Sequence, residues 1–164
     1  MNEKQTQMID EFRGALADLD AVLADLPGGS LDWAEEGEWS IREILHHLAD
    51  DGNVYVFIIE RGLATPDCKV FFGEFPGNEA WADRLAFGER PVEGVLNLIH
   101  AQRQFLAEVL GHFPDRWENK ANFYNTEGEK IADRTIGEML LMLTEHMQEH
   151  TEMIQNIIVA HAEE

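Results

Sequence analysis

The stretch LTEHMQEHTE, residues 143 to 152, carries two histidines four residues apart, His146 and His150. On a helix, residues at that spacing have Cβ atoms about 5 to 6 Å apart, so both imidazoles reach one ion. The apolar stripe of the segment passes through Met139, Leu143, Ile154 and Ile157, and both histidines fall on it. They are therefore predicted to face an interior or an open end of it. A second pair lies in LHHLADD, residues 45 to 51. His47 continues the line of Ile44, Asp51, Val54 and Ile58, whereas His46 shares its line with Arg42, Asp50 and Asn53. Successive helical residues sit about 100° apart, so the pattern predicts His47 inward and His46 facing water.

The other histidines are weaker candidates. His100 accompanies Glu93, Asn97 and Gln104 on a polar face, and His112 falls at a helix C-terminus, where a cation is mildly favoured. His161 shares the stripe of His150 but lies about 16 Å further along the axis. His47, His146 and His150 remain. Three imidazoles leave coordination positions open for water or substrate, as in catalytic zinc centres. Histidines that only hydrogen-bond within a core are the competing explanation. Three inward histidines on two helices, two of them at chelating spacing, favour the ion. Such ligands suit zinc, nickel, copper and iron alike. Asp51, one turn beyond His47, is a candidate to orient an imidazole or act as a base. A solvated acid at the bundle end is its other reading.

His146 to His150 also spells H-x-x-E-H, the inverted zinc-peptidase pattern. That chemistry needs a third ligand well downstream, and only fourteen residues follow His150. Glu149 also sits about 100° from His150 on the helix. Glu145 and Glu149 are expected on the surface.

Four helical segments must position these residues. The first runs from about Glu3 to Leu26, with an apolar stripe through Met8, Phe12, Ala15, Leu19 and Val22, and stops at Pro27-Gly28-Gly29. The second begins at a capping box of Ser40 and Glu43, with Trp39 and Ile44 at the staple positions, and is expected to end near Arg61 and Gly62. The third starts at Pro91 and ends near Gly111. The fourth starts at a second capping box, Thr135 and Glu138, and continues to about Ala162. Residues 63 to 90 are rich in aromatics (Phe71, Phe72, Phe75, Trp81, Phe87), with a short helix expected over 79 to 86. These rings are predicted mainly to anchor the connection, with a pocket wall as their second use. Residues 113 to 134 contain a turn at Glu127-Gly128. Both connections are long for plain linkers and are expected to fold over an end of the bundle. The expected architecture is all-α: one four-helix-bundle domain over residues 1 to 164, with long crossover loops.

Twelve basic against thirty-two acidic residues give a net charge of −20. Nucleic acid and anionic membranes would be repelled, and no basic stripe exists to bind them. No apolar run approaches the roughly 18 to 20 residues of a membrane span. The N-terminus lacks the layout of a secretory signal. Cys68 is the sole cysteine and cannot form an internal disulfide, so a reducing, cytoplasmic setting is expected.

Three segments carry a family resemblance: Trp39-Ser40-Ile41-Arg42-Glu43-Ile44-Leu45-His46-His47-Leu48-Ala49-Asp50, then Thr135-Ile136-Gly137-Glu138-Met139-Leu140-Leu141, then His146-x-x-x-His150. Taken together they resemble the DinB-like superfamily of bacterial helical bundles, which includes YfiT-like metal-dependent hydrolases. The resemblance implies a four-helix bundle with long crossovers and a divalent ion, zinc or nickel. The ion would be held by one histidine of the second helix, His47 rather than His46, and by His146 and His150. It also implies a homodimer, a small-molecule substrate and, in some relatives, a low-molecular-weight thiol such as bacillithiol or mycothiol. Many members carry glutamine three residues after the last histidine; Met153 stands there in this chain. The expected activity is that of a metal-dependent hydrolase or a thiol-dependent S-transferase. The alternative is a non-enzymatic metal- or ligand-binding stress protein acting through a partner.

Overall fold

A computed structural model describes residues 1 to 71 and 77 to 162. Phe72 and Phe75 lie outside the described residues. Four long helices form the bundle: α1 (Glu3–Ala24), α2 (Ile41–Ala64), α4 (Glu93–His112) and α5 (Ile136–Ala162). A short α3 (Asn78–Arg84) lies between α2 and α4. Helix α1 packs against α4 and α5, and so does α2. The ring order is therefore α1, α4, α2, α5, with α1 opposite α2 and α4 opposite α5. The connections from α1 to α2 and from α4 to α5 therefore cross a diagonal, whereas α2 and α4 are neighbours joined by a long connection that carries α3.

Local chemistry sets the helix ends. At α2 the Glu43 amide donates to Ser40 Oγ (3.3 Å) and the Ser40 amide donates to the Glu43 carboxylate (2.8 Å). At α5 the Thr135 amide donates to Glu138 (2.7 Å) and the Glu138 amide to Thr135 Oγ1 (3.1 Å). A third capping box, Asn2 with Gln5, starts α1. Several ends differ from expectation. Helix α1 stops at Ala24 rather than Leu26, and α4 begins at Glu93, two residues after Pro91. Helix α3 covers 78 to 84 rather than 79 to 86. Helix α2 runs through Gly62 to Ala64. Gly62 is a packing residue rather than a terminator: an added Cβ would meet Ile136 Cδ1 at 2.6 Å.

The crossovers also hold a small sheet that the all-α expectation lacks. Strand β1 (Cys68–Phe71) pairs in parallel with β2 (Lys120–Tyr124), which pairs antiparallel with β3 (Lys130–Thr135). The expected turn at Glu127-Gly128 joins β2 to β3, with Gly128 at φ 81° and its amide donating to the Asn125 carbonyl (3.1 Å). Ala121 and Phe123 point into the protein, and the sheet closes one end of the bundle.

The core falls into two apolar clusters. One gathers Ile9, Phe12, Ile59, Leu63, Leu106, Leu110, Ile136 and Met139 beside the sheet. The other gathers Ala15, Leu19, Ile44, Leu48, Ile99, Met147, Ile154 and Ile157 towards the far end. On every long helix the change from one cluster to the other falls within a few turns: after Phe12, after Ala49, after Ile99 and after Leu143. A polar layer occupies this level, and it contains the histidines.

Candidate metal centre

His47 from α2 and His146 and His150 from α5 converge at the boundary between the two clusters. His146 Nε2 lies 3.0 Å from His47 Nε2 and 3.0 Å from His150 Nε2. One nitrogen from each of the three lies within 4.8 Å of the others. Among the described residues this is the one group of histidine, cysteine and acidic side chains that could hold a metal ion. Their rings meet edge to face, with centroids 4.5 to 5.0 Å apart. A neutral imidazole has one N–H and one lone pair. Contacts within the trio leave His150 Nδ1 buried without a hydrogen-bond partner. The trio is thus not self-satisfied, and a convergent three-nitrogen donor set fits a divalent ion.

Burial holds all three in the ligating form. Desolvation lowers the pKa of His47 against the pull of Asp51, and lowers that of His146 against Asp51 and Glu149. His150 is pushed down to about 3 by desolvation and by the neighbouring His146 and His47. Asp51, half-buried, turns Oδ2 towards His146 Nδ1 (3.6 Å) and His47 Nε2 (4.0 Å). Trp39, a staple residue of α2, sets its ring edge-on against His47 at 4.8 Å.

His46 corrects the expectation of a solvated residue. It is 3% exposed, stacks on Phe87 at 5.2 Å, and sets Nε2 3.4 Å from the Arg90 carbonyl. The connection from α3 to α4 covers this face of α2, so the polar line Arg42, His46, Asp50 is roofed by protein. His46 still stands outside the trio. His100 lies 2.9 Å from Asp20 on the surface, and His161 stacks on Trp33 at 4.8 Å. Glu145 and Glu149 are exposed.

The pair Gln102 and Arg103 on α4 was not singled out in the sequence. The Gln102 amide donates to the Ala49 carbonyl (2.9 Å) and to Asn53 Oδ1 (2.8 Å), between and beyond His47 and Asp51 on α2. Arg103 donates to the Phe12 carbonyl on α1 (2.8 Å) and the Leu143 carbonyl on α5 (2.7 Å), one turn before His146. Its guanidinium also lies 4.0 Å from the Phe12 ring centroid. Two adjacent side chains of α4 thus tie into α2 and α5, the helices that carry the three histidines. Both sit on the stripe of Val95, Ile99, Leu106 and Leu110, and polar residues on an apolar stripe were the signal.

A cavity of about 800 Å³ opens beside His47 and Asp51, between α2, α3 and β1. Phe71 and Trp81 line it, and the Trp81 indole N–H donates to Asp50. Phe87 is buried as an anchor, so the aromatic connection divides its rings between the two predicted uses.

The sequence profile of the DinB superfamily matches residues 11 to 154, and the chain belongs to that superfamily. A solved structure with the same architecture is that of YfiT from Bacillus subtilis, described as a probable metal-dependent hydrolase with an unusual four-helix bundle topology. The match covers 99% of this chain and 90% of YfiT, with a TM-score of 0.81 and 17% identity. At that identity the likeness establishes the fold. No curated protein matches the chain in sequence.

Proposed function

We propose that the protein is a divalent-metal-dependent hydrolase of small molecules, with His47, His146 and His150 as the ligands and zinc or nickel as the ion. The convergence of three neutral imidazole nitrogens beside an open cavity carries this reading. A divalent ion on such a set lowers the pKa of a bound water or thiol and so supplies a nucleophile at neutral pH. The Asp51 carboxylate faces His146 Nδ1 and favours the tautomer that keeps its proton there, leaving the Nε2 lone pair for the ion. Asp51 also stands on the cavity wall, where it can accept a proton from the attacking nucleophile. A thiol-dependent S-transferase would use the same residues with a low-molecular-weight thiol in place of water. The cavity favours turnover over a closed, purely metal-binding role. A cytoplasmic homodimer belongs to the same reading. Among the described residues, no helix is long and apolar enough to cross a membrane.

Elemental analysis of untagged protein tests the proposal, beside His47→Ala and His150→Ala. About one ion per chain is expected in the parent, with loss in both variants. A parent that holds no metal after reconstitution overturns it. Assays with ester substrates, and with electrophiles plus thiols, then separate hydrolase from transferase.

A further inference from the structure

The cavity does not end at the histidines. His47, Asp51, Val54, Ile58 and Arg61 follow one another along α2 at steps of three and four residues, and all line it. At 1.5 Å per residue this wall is about 21 Å long. Its chemistry changes from end to end. Asp50 and Asp51 stand at the histidine end, where Asp50 accepts from the Trp81 indole and Asp51 faces two imidazoles. The middle is mainly apolar, with Val54, Phe57, Ile58 and Phe71, and Asn53 and Tyr55 stand beside Val54. Phe57 and Phe71 are each 60% exposed, so two large rings stand uncovered at its rim.

Arg61 closes the far end. It is the one cation among the described lining residues, and its guanidinium lies 5.6 Å from the Phe57 ring centroid. Among the described residues no carboxylate lies within ion-pair distance of it. In a chain with 32 acidic residues and 12 basic ones, an arginine without a carboxylate partner among the described residues, at the end of an apolar trough, is complementary to an anion. The distant acids weaken this little, because charges separated by more than about 8 to 10 Å are largely screened at physiological salt.

We infer that the cavity binds a small amphipathic anion. Its carboxylate or phosphate pairs with Arg61, its apolar body lies along Val54, Phe57 and Ile58, and its other end is presented to His47. Only the chemistry at the His47 end rests on the proposed hydrolase; the anion site does not need the ion.

Calorimetric titration of the full-length protein tests this with decanoate, decyl phosphate, decylamine and decanol, each below its micellar concentration. One decanoate or decyl phosphate per chain is expected, and the better of the two identifies the headgroup. Arg61→Gln should weaken both by about tenfold or more, the loss of one charge-assisted contact. Decylamine and decanol should bind at least about tenfold more weakly than the anions. Val54→Trp, which fills the trough from a partly exposed position, should abolish binding in a protein whose thermal melt shows it folded. His150→Ala lacks a proposed ligand but should bind decanoate as the parent does, so this result is readable even if the parent proves metal-free. Equal binding of decylamine, an unchanged Arg61→Gln, several molecules per chain, or no binding would each overturn the inference. Loss of decanoate in His150→Ala with retention in Arg61→Gln would place the carboxylate on the ion and overturn it as well.

Discussion

A neutral imidazole is the form that ligates a metal, and burial keeps His47, His146 and His150 in it. An unfolded histidine takes a proton near 6.5, whereas His150 in the fold takes one only near about 3. Between those values the unfolded chain holds the extra proton, so stability rises with pH. The contribution is complete above 6.5 and is lost as the pH falls towards 3. Melts of metal-free protein should therefore fall in temperature from about pH 7 to about pH 4, and less steeply for His150→Ala. Parallel slopes would assign the acid sensitivity to other groups. Asp51→Asn keeps the shape and removes the charge opposite His146. Metal affinity should drop by about 10- to 100-fold in a chelator competition, as expected for a group that orients a ligand. An unchanged affinity would return Asp51 to the role of a solvated acid. The trio was legible in the sequence because its members lie on apolar stripes. His46 was misread because periodicity on α2 cannot report what the later connection through Phe87 and Arg90 lays over it.

At the scale of elements, the site depends on how α2 and α5 are held. Arg103 is a buried cation whose pKa burial lowers to about 9, and it has no carboxylate partner among the described residues. Its role is to satisfy two carbonyls, one of them beside the turn that carries His146. Removing a buried donor while its acceptors stay in place costs about 1 to 3 kcal/mol. Arg103→Met, which keeps much of the packing volume, is therefore expected to lose about 1 to 3 kcal/mol in urea melts, and to bind metal more weakly as α5 is released. Arg103→Ala should lose about 2 to 4 kcal/mol through the cavity it leaves. Gly52→Ala attacks the same clamp from α2: its Cβ would lie 2.2 Å from Gln102 Oε1. Overpacking of that kind should destabilise by about 1 to 3 kcal/mol. Full metal affinity in both Arg103→Met and Gly52→Ala would show that the clamp does not position the ligands. Capping boxes made the starts of α2 and α5 readable, because Ser-x-x-Glu and Thr-x-x-Glu are local devices. The sheet was not readable. Its strands span four to six residues, and β1 finds β2 some fifty residues away, a pairing that no local pattern encodes.

Across the whole molecule, the ring order α1, α4, α2, α5 makes neighbours of two helices that stand far apart in sequence. Which helices adjoin was legible only through the histidines themselves: a shared ion requires α2 beside α5. That requirement has a thermodynamic consequence. The histidine layer separates two apolar clusters, and α2 and α5 each contribute to both. An ion held by His47, His146 and His150 would link these helices at the level where apolar packing gives way to polar groups. It binds the folded chain and finds no preformed site in the unfolded one, so its binding free energy adds to stability. At a free metal concentration one hundred times Kd the gain is about 2.7 kcal/mol. For a chain of this size that should raise the melting temperature by roughly 5 to 10 °C. Differential scanning calorimetry with and without added zinc or nickel measures the shift, and His150→Ala supplies the control. A rise in the parent that the variant lacks places the ion across α2 and α5. An equal rise in both would mean that the metal stabilises the chain through its many surface carboxylates, with no part played by the histidine layer.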